Sequence, residues 1–255
     1  MRIWTFELMI VVIPMAGNSQ RFKDAGYAEP KYKLTLAGRS VFSHVIQSFG
    51  NYFSKFSFLF VYRDEGDIEN FIISECKVQA LEKPILVGLS KPTHGQADTV
   101  LQGLNAAQID ETEAITVFNI DTFRPNFCFP KDLNLNKIDG YLEVFRGSGN
   151  NWSYVRSHPS RNKQVAETAE KVQISNLCCT GLYYFRETRR FRKAYEVESS
   201  NNNLKEYYIA PLYNHLIGEG DQIFYHEICS SEVTFCGIPE EYEALNMLQD
   251  YRNER

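Results

Sequence analysis

Apolar positions in the first half of the chain fall into short runs divided by polar turns. Met9–Pro14 reads M-I-V-V-I-P, the continuous apolar run of a central parallel strand covered on both faces. Ser57–Tyr62 repeats the pattern, and Lys83–Val87 and Ala114–Ile120 predict two more strands, the last ending at Asp121. Between them the period becomes helical. Ser40 can cap a helix through Phe53, with Val41, Phe42, Val45, Ile46 and Phe49 on one stripe. Gly66–Glu75 predicts a second helix. Thr93–Ala107 opens with Thr-His-Gly and continues as a helix buried through Ala97, Val100, Leu101 and Leu104. This alternation predicts a doubly wound parallel sheet for the first half.

The second half changes character. Gly140–Arg146, Trp152–Ser157, Gln164–Lys171 and Cys178–Phe185 read as strands, and Glu206–Ile217 and Pro239–Tyr251 as helices. No linker, repeat or low-complexity tract intervenes. The expectation is an α/β fold with a mixed, mainly parallel central sheet flanked by helices. Residues 1–255 would form one domain, with a nucleotide-binding half at about 9–125 and an acceptor half at about 126–255.

Composition narrows the function classes. The 255 residues are 44% hydrophobic and 23% charged, an ordinary soluble globular make-up with room for a large core. A net charge of −5 disfavours a long nucleic acid as partner, because phosphate backbones select basic faces. A small anionic substrate needs only a few local cations. No run of about 18 apolar residues occurs, so no membrane span is predicted. Met1–Met15 superficially resembles a signal peptide, but Glu7 interrupts it and no cleavage site follows. Six cysteines form no C-x-x-C pair and no zinc-like spacing, which predicts free buried thiols in a reducing cytosol. Adjacent Cys178 and Cys179 would face opposite sides of a strand. The expected location is cytoplasmic, and a homo-oligomer is allowed.

The segment richest in chemistry is Pro14–Phe22, followed by Pro30-Lys31. The turn Ala16, Gly17, Asn18, Ser19 and Gln20 after a parallel strand can present backbone N–H groups to phosphate oxygens. Arg21 can bridge several such oxygens, and Lys31 supplies a compact charge for a phosphate that gains negative charge during reaction. A solvated surface loop with ordinary charges satisfies the same pattern. No G-x-x-x-x-G-K-[ST] exists, which excludes a P-loop enzyme.

The same segment resembles the opening signature of the nucleoside-diphosphate-sugar pyrophosphorylases, P-M-A-G-x-G-S-R-F followed by G-Y-x-x-P-K. This chain reads P-M-A-G-N-S-Q-R-F, then Gly26-Tyr27-Ala28-Glu29-Pro30-Lys31. Five further segments resemble family motifs in the expected order: Thr93–Leu101, Phe118–Thr122, Val165–Lys171 with Ile174-Ser175, Thr180–Phe185 and Gly237–Tyr242. The resemblance implies a GT-A type nucleotidyltransferase fold that is Rossmann-like. It implies transfer from a nucleoside triphosphate to a phosphorylated small molecule, such as a sugar 1-phosphate, with release of pyrophosphate. By that resemblance Arg21 and Lys31 are catalytic, and Ala16–Gln20 with Gln96 bind the nucleotide. Glu170, Lys171 and Gly181 bind the acceptor, and Asp121 holds Mg²⁺. A strand-end carboxylate such as Asp121 would be costly unpaired, and a phosphate-bridging cation would offset that. Direct displacement at the α-phosphorus needs no protein nucleophile. Capsule or surface polysaccharide synthesis would be the setting.

Two positions depart from the family pattern. The second loop glycine is Ser19 here. The metal aspartate two residues before the G-T-P glycine is replaced by Phe235, with Glu232 and Asp221 as candidate substitutes. Two other readings remain: a GT-A glycosyltransferase, although Asp121-Thr122-Phe123 lacks its Asp-x-Asp, and a non-catalytic nucleotide-sugar sensor. The nucleobase and the acceptor, sugar or non-sugar phosphate, stay open.

Overall fold

The computed structural model describes residues 9–201 and 204–253. Residues 1–8, which the sequence suggests are either a dispensable extension or a short extra strand on the surface, lie outside them. Strand β1 (Met9–Met15) is buried along its whole length and pairs in parallel with β4 (Ser57–Arg63) and β6 (Ala114–Phe118). Parallel β5 (Ile85–Leu89) forms the edge beyond β4. On the other side β6 meets antiparallel β11 (Leu177–Phe185). From β11 the nine-stranded sheet divides. One branch holds β8 (Gly140–Arg146) and β12 (Ile223–Glu227), and the other holds β9 (Ser153–Ser157) and β10 (Val165–Glu170). The sheet is therefore mixed, as expected, and draws strands from both the first and the second half of the sequence.

Alternation along β1 explains the covering of both faces. Met9, Val11, Ile13 and Met15 join a core with α2 (Val41–Gln47) and α3 (Ile68–Val78). Ile10 and Val12 join the opposite core, with α4 (Gln96–Ala106), α5 (Thr188–Ser199) and α6 (Ile209–Gly218). A continuous apolar run is what two covered faces require. The remaining elements are α1 (Gln20–Asp24), the pair β2 (Thr35–Leu36) and β3 (Arg39–Ser40), the pair β7 (Thr122–Phe123) and β13 (Thr234–Phe235), and α7 (Pro239–Asn253).

Several boundaries differ from the sequence reading. Ser40 caps α2 by accepting from Ser43 N at 3.0 Å, as expected. The helix stops at Gln47 rather than Phe53, because Phe49 turns in among Phe58, Phe118 and Phe127 and the Ser48 hydroxyl accepts from Arg124 N at 2.9 Å. Helix α3 spans Ile68–Val78, slightly later than predicted. Helix α6 begins at Ile209, not Glu206, because backbone hydrogen bonds tie Tyr207 to the turn before α4. Cys178 and Cys179 do enter opposite cores. All six cysteines are free, but Cys128 and Cys229 are exposed, so the expectation of six buried thiols is corrected to four.

Candidate active site

The groove opens at the C-terminal ends of β1 and β6, where parallel strands deliver their loops. Beyond β1, Ser19 adopts φ 50°, the left-handed conformation that glycine fills most easily. Its hydroxyl accepts from Lys31 N at 3.3 Å, so Ser19 ties the first loop to the second. The Arg21 side chain makes no hydrogen bond or ion pair among the described residues and lines the groove wall.

Lys31 follows Pro30 on a short 3₁₀ turn, and its Nζ lies 2.5 Å from Asp121 Oδ2. Each side chain is only about one-fifth exposed, at 20% and 21%. Strand β6 ends at Phe118, so Asp121 sits in the turn between β6 and β7 rather than at the strand end. Its carbonyl accepts from Cys236 N at 2.8 Å.

Two adjoining cavities make up the groove. The first, about 440 Å³, is lined by the Pro14–Ser19 loop, Lys31, Thr93, Gly95, Gln96, Asn119 and Asp121. The second, about 340 Å³, is lined by Arg21, Trp152, Glu170, Gly181, Phe235 and Glu241 among others. Gln96, Asn119, Asp121 and Tyr208 line both, which marks the junction. Gly95 stands at φ 107°, and a Cβ there would meet the Tyr207 backbone at 2.6 Å. Tyr207 N in turn donates to His94 O at 2.7 Å and its carbonyl accepts from Ala97 N at 2.9 Å, so the Thr-His-Gly turn is clamped.

Asn119 connects the two ends. Its Oδ1 accepts from Gln96 Nε2 at 2.6 Å, and its N–H donates to Gly181 O at 3.0 Å. Gly181, at φ 98°, lies where the register of β11 against β8 shifts, and a Cβ would stand 2.5 Å from the Asn119 amide. The group packed closest to Gly181 in the structure is therefore the Asn119 side chain.

Glu170 and Lys171 diverge. Glu170 lines the second cavity and accepts from Ser153 Oγ. Burial pushes its carboxyl above the usual range, against the lowering effect of the Ser153 hydrogen bond and the Lys171 charge. Lys171 is exposed, at φ 57°, and donates from Nζ to Tyr208 OH at 2.6 Å on the rim. Tyr208 OH also contacts Glu206.

The structure thus brings Ala16–Ser19, Arg21, Lys31, Gln96, Asp121, Glu170 and Gly181 to one groove, with Gln20 on its outer wall and Lys171 at the rim. It does not bring Glu232 or Asp221 there. Glu232 accepts from Cys229 N at 2.8 Å in a local cap, and Asp221 is paired with Arg190, so neither substitutes for a metal carboxylate at Phe235. The sequence reading missed Asn119, Tyr208 and Glu241. Asn119 lay inside the motif that marked Asp121. Glu241 lay in the turn motif Gly237–Tyr242, where its Oε2 accepts from Gly237 N at 2.7 Å.

No protein-family model and no curated protein matches the chain. Solved structures do. The inositol-1-phosphate CTP transferase from T. maritima is 15% identical, covers 93% of this chain and 94% of its own, and has a TM-score of 0.70. A UDP-glucose pyrophosphorylase complexed with UDP-glucose is 14% identical, covers 97% and 100%, and has a TM-score of 0.69. These two share the fold. The crystal structure of the nucleoside-diphosphate-sugar pyrophosphorylase from Vibrio cholerae RC9 is 43% identical, covers 93% of this chain and 99% of that one, and has a TM-score of 0.87. With that identity over nearly the full length, the chain belongs to the nucleoside-diphosphate-sugar pyrophosphorylase family.

Proposed function

We propose that the groove joins a nucleoside triphosphate to a phosphorylated small-molecule acceptor, giving a nucleoside-diphosphate product and pyrophosphate. One observation carries this reading. The Lys31 ammonium and the Asp121 carboxylate meet at the junction of two cavities, one bounded by the Pro14–Ser19 loop and the other by Glu170 and Gly181. A site for two anionic substrates needs such a meeting point. Membership in the pyrophosphorylase family agrees and does not favour the glycosyltransferase or the non-catalytic reading.

In this reading the triphosphate lies along Ala16–Gln20, with its base beside Gln96. Gln96 Nε2 is committed to Asn119, which orients the amide toward the base. The acceptor's phosphate oxygen attacks the α-phosphorus, and the bond to the pyrophosphate oxygen breaks in line. Lys31 stabilises the charge that builds on the α-phosphate, and Arg21 bridges the departing phosphates. Lys171 leaves Tyr208 to hold the acceptor phosphate, and Glu170 accepts from the acceptor's donors. No side chain needs to form a covalent intermediate.

Mg²⁺ fits the residues present. Among the described residues no cluster of three acids, histidines or cysteines exists to cage a metal. Mg²⁺ uses one or two carboxylates together with substrate phosphates and waters, so Asp121 suffices on the protein side. When bound it would neutralise and shape the triphosphate. No helix among the described residues is long and apolar enough to cross a membrane. A cytoplasmic setting, a supply of activated units to capsule or surface polysaccharide, and a sugar 1-phosphate as acceptor belong to this proposal. Pyrophosphate release, measured with Mg²⁺, each common triphosphate and a panel of phosphorylated acceptors, tests it. Absence of release with every combination would overturn it.

A further inference from the structure

The acceptor end of the groove is lined by two carboxylates, those of Glu170 and Glu241, that stand outside any ion pair among the described residues. Their hydrogen bonds come from neutral donors, Ser153 Oγ and Gly237 N. The third acid, Asp121, is already matched by Lys31 at 2.5 Å. Among the described residues Arg21 is the one basic side chain on this cavity's wall, and Lys171 stands at its rim.

An aromatic wall completes the cavity. The Trp152 and Phe235 rings have centroids 4.5 Å apart at 60°, and Phe145 backs both at 5.1 Å. Phe235 stands where the family pattern places a metal carboxylate. Two carboxylates outside any ion pair among the described residues, beside half-buried rings that line the same cavity, form a surface that attracts a cation twice over, by charge and by the ring quadrupole. Hydroxyls of a neutral acceptor would donate to these carboxylates but would bring no opposite charge. Burial already pushes the Glu170 carboxyl upward, a penalty that a bound cation would relieve.

We infer that the acceptor phosphate carries a positively charged nitrogen, seated between Glu170, Glu241 and the Trp152–Phe235 wall. The inference rests on the nucleotidyl-transfer reading above. The reaction is unchanged: the new bond forms from the acceptor's phosphate oxygen to the α-phosphorus, pyrophosphate leaves, and the nitrogen keeps its charge throughout.

Matched acceptors isolate that charge. Phosphoethanolamine and 2-hydroxyethyl phosphate differ by one ammonium for one hydroxyl, as do glucosamine 1-phosphate and glucose 1-phosphate. With Mg²⁺ and each common triphosphate, pyrophosphate release should favour the ammonium member of at least one pair by about tenfold or more in kcat/KM. Glu170→Gln, Glu241→Gln and Phe235→Leu should each shrink that ratio. A general loss of activity would leave the ratio where it was, and melting temperatures confirm that each variant is folded. Equal or better use of the hydroxyl members, or a ratio that no variant changes, would remove the cationic acceptor and leave nucleotidyl transfer standing. No release with any acceptor would remove both.

Discussion

Lys31 Nζ and Asp121 Oδ2 lie 2.5 Å apart although 90 residues separate them in the chain. The contact joins the loop after β1 to the turn after β6, and these are neighbouring parallel strands. Each group neutralises the other until substrates arrive. Phosphates would then draw the ammonium, and a cation would draw the carboxylate. The two groups therefore differ in what their removal does.

Lys31→Ala should lower kcat by about 10²- to 10³-fold with a smaller change in KM for the triphosphate, because its charge matters most as the α-phosphate becomes more negative. Steady-state pyrophosphate release reads both constants. An unchanged kcat with a raised KM would reduce Lys31 to a ground-state binder.

Asp121→Asn should abolish Mg²⁺-dependent turnover and leave the fold intact, since the side chain is part-exposed and Asn can still accept from Lys31. Turnover against Mg²⁺ concentration, with a melting curve alongside, checks it. Wild-type activity in the variant would remove Asp121 from the metal site.

Gly181→Ala should destabilise the protein by about 2 kcal/mol or more, from a residue at φ 98° and a Cβ 2.5 Å from the Asn119 amide. Asn119 also holds Gln96, so KM for the triphosphate should rise along with KM for the acceptor. The double variant Gly181→Ala/Asn119→Ala should regain the packing part of the stability and none of the nucleotide binding. If only acceptor binding suffered, Gly181 would contact the acceptor rather than position Asn119.

The inner strands of the sheet were legible because they are buried on both faces, and continuous apolar runs such as that of β1 cannot be mistaken for loops. Helix α5 was not. Its apolar stripe is Phe191, Ala194 and Tyr195, thinly spaced among Arg189, Arg190, Arg192, Lys193, Glu196 and Glu198. Strand β12 escaped for a related reason: only Ile223 is fully buried, and its four remaining residues are intermediate. In the candidate site, Arg21 and Lys31 stood out by loop position, and Asp121 by the motif that resembles the family's. Asn119 did not, because its work is to contact Gln96 and Gly181, and tertiary partners leave no local pattern. Ser19 illustrates the same limit, since its left-handed backbone is sustained in part by a hydrogen bond from Lys31 N, twelve positions away.

Acceptor binding should depend on pH through Glu170. Its carboxyl titrates above the usual range because it is buried. Only the ionised form accepts hydrogen bonds with full charge, so KM for the acceptor should rise as pH falls through that raised value, and Glu170→Gln should flatten the profile. Stability runs the other way. The folded state binds this proton more tightly than the unfolded chain, so between the unfolded and the folded value the contribution of Glu170 to stability declines as pH rises. A melting temperature that rose with pH in that window because of Glu170 alone, judged against Glu170→Gln, would contradict the assignment.

The buried pair Arg124–Glu143 supports the same region from behind. Arg124 Nε and Nη2 donate to the two Glu143 oxygens at 2.8 and 3.1 Å, and the side chains are only 5% and 1% exposed. Thr180 Oγ1 donates to Glu143 at 3.0 Å, and Arg124 Nη1 donates to Glu232 O at 2.6 Å. These bonds fasten β8, β11 and the segment entering β13 together behind Asp121 and Phe235. Glu143→Ala leaves a buried guanidinium without its partner and should lower stability by about 3–5 kcal/mol. Arg124→Met strands the carboxylate and should lose a similar amount. The double variant Arg124→Met/Glu143→Leu removes both charges and fills the space with apolar atoms, so it should be more stable than either single variant. Urea unfolding of the four proteins gives the coupling directly. Additive losses would show that the two residues act separately. A stable double variant that still released pyrophosphate normally would show that the pair holds the scaffold without shaping the site.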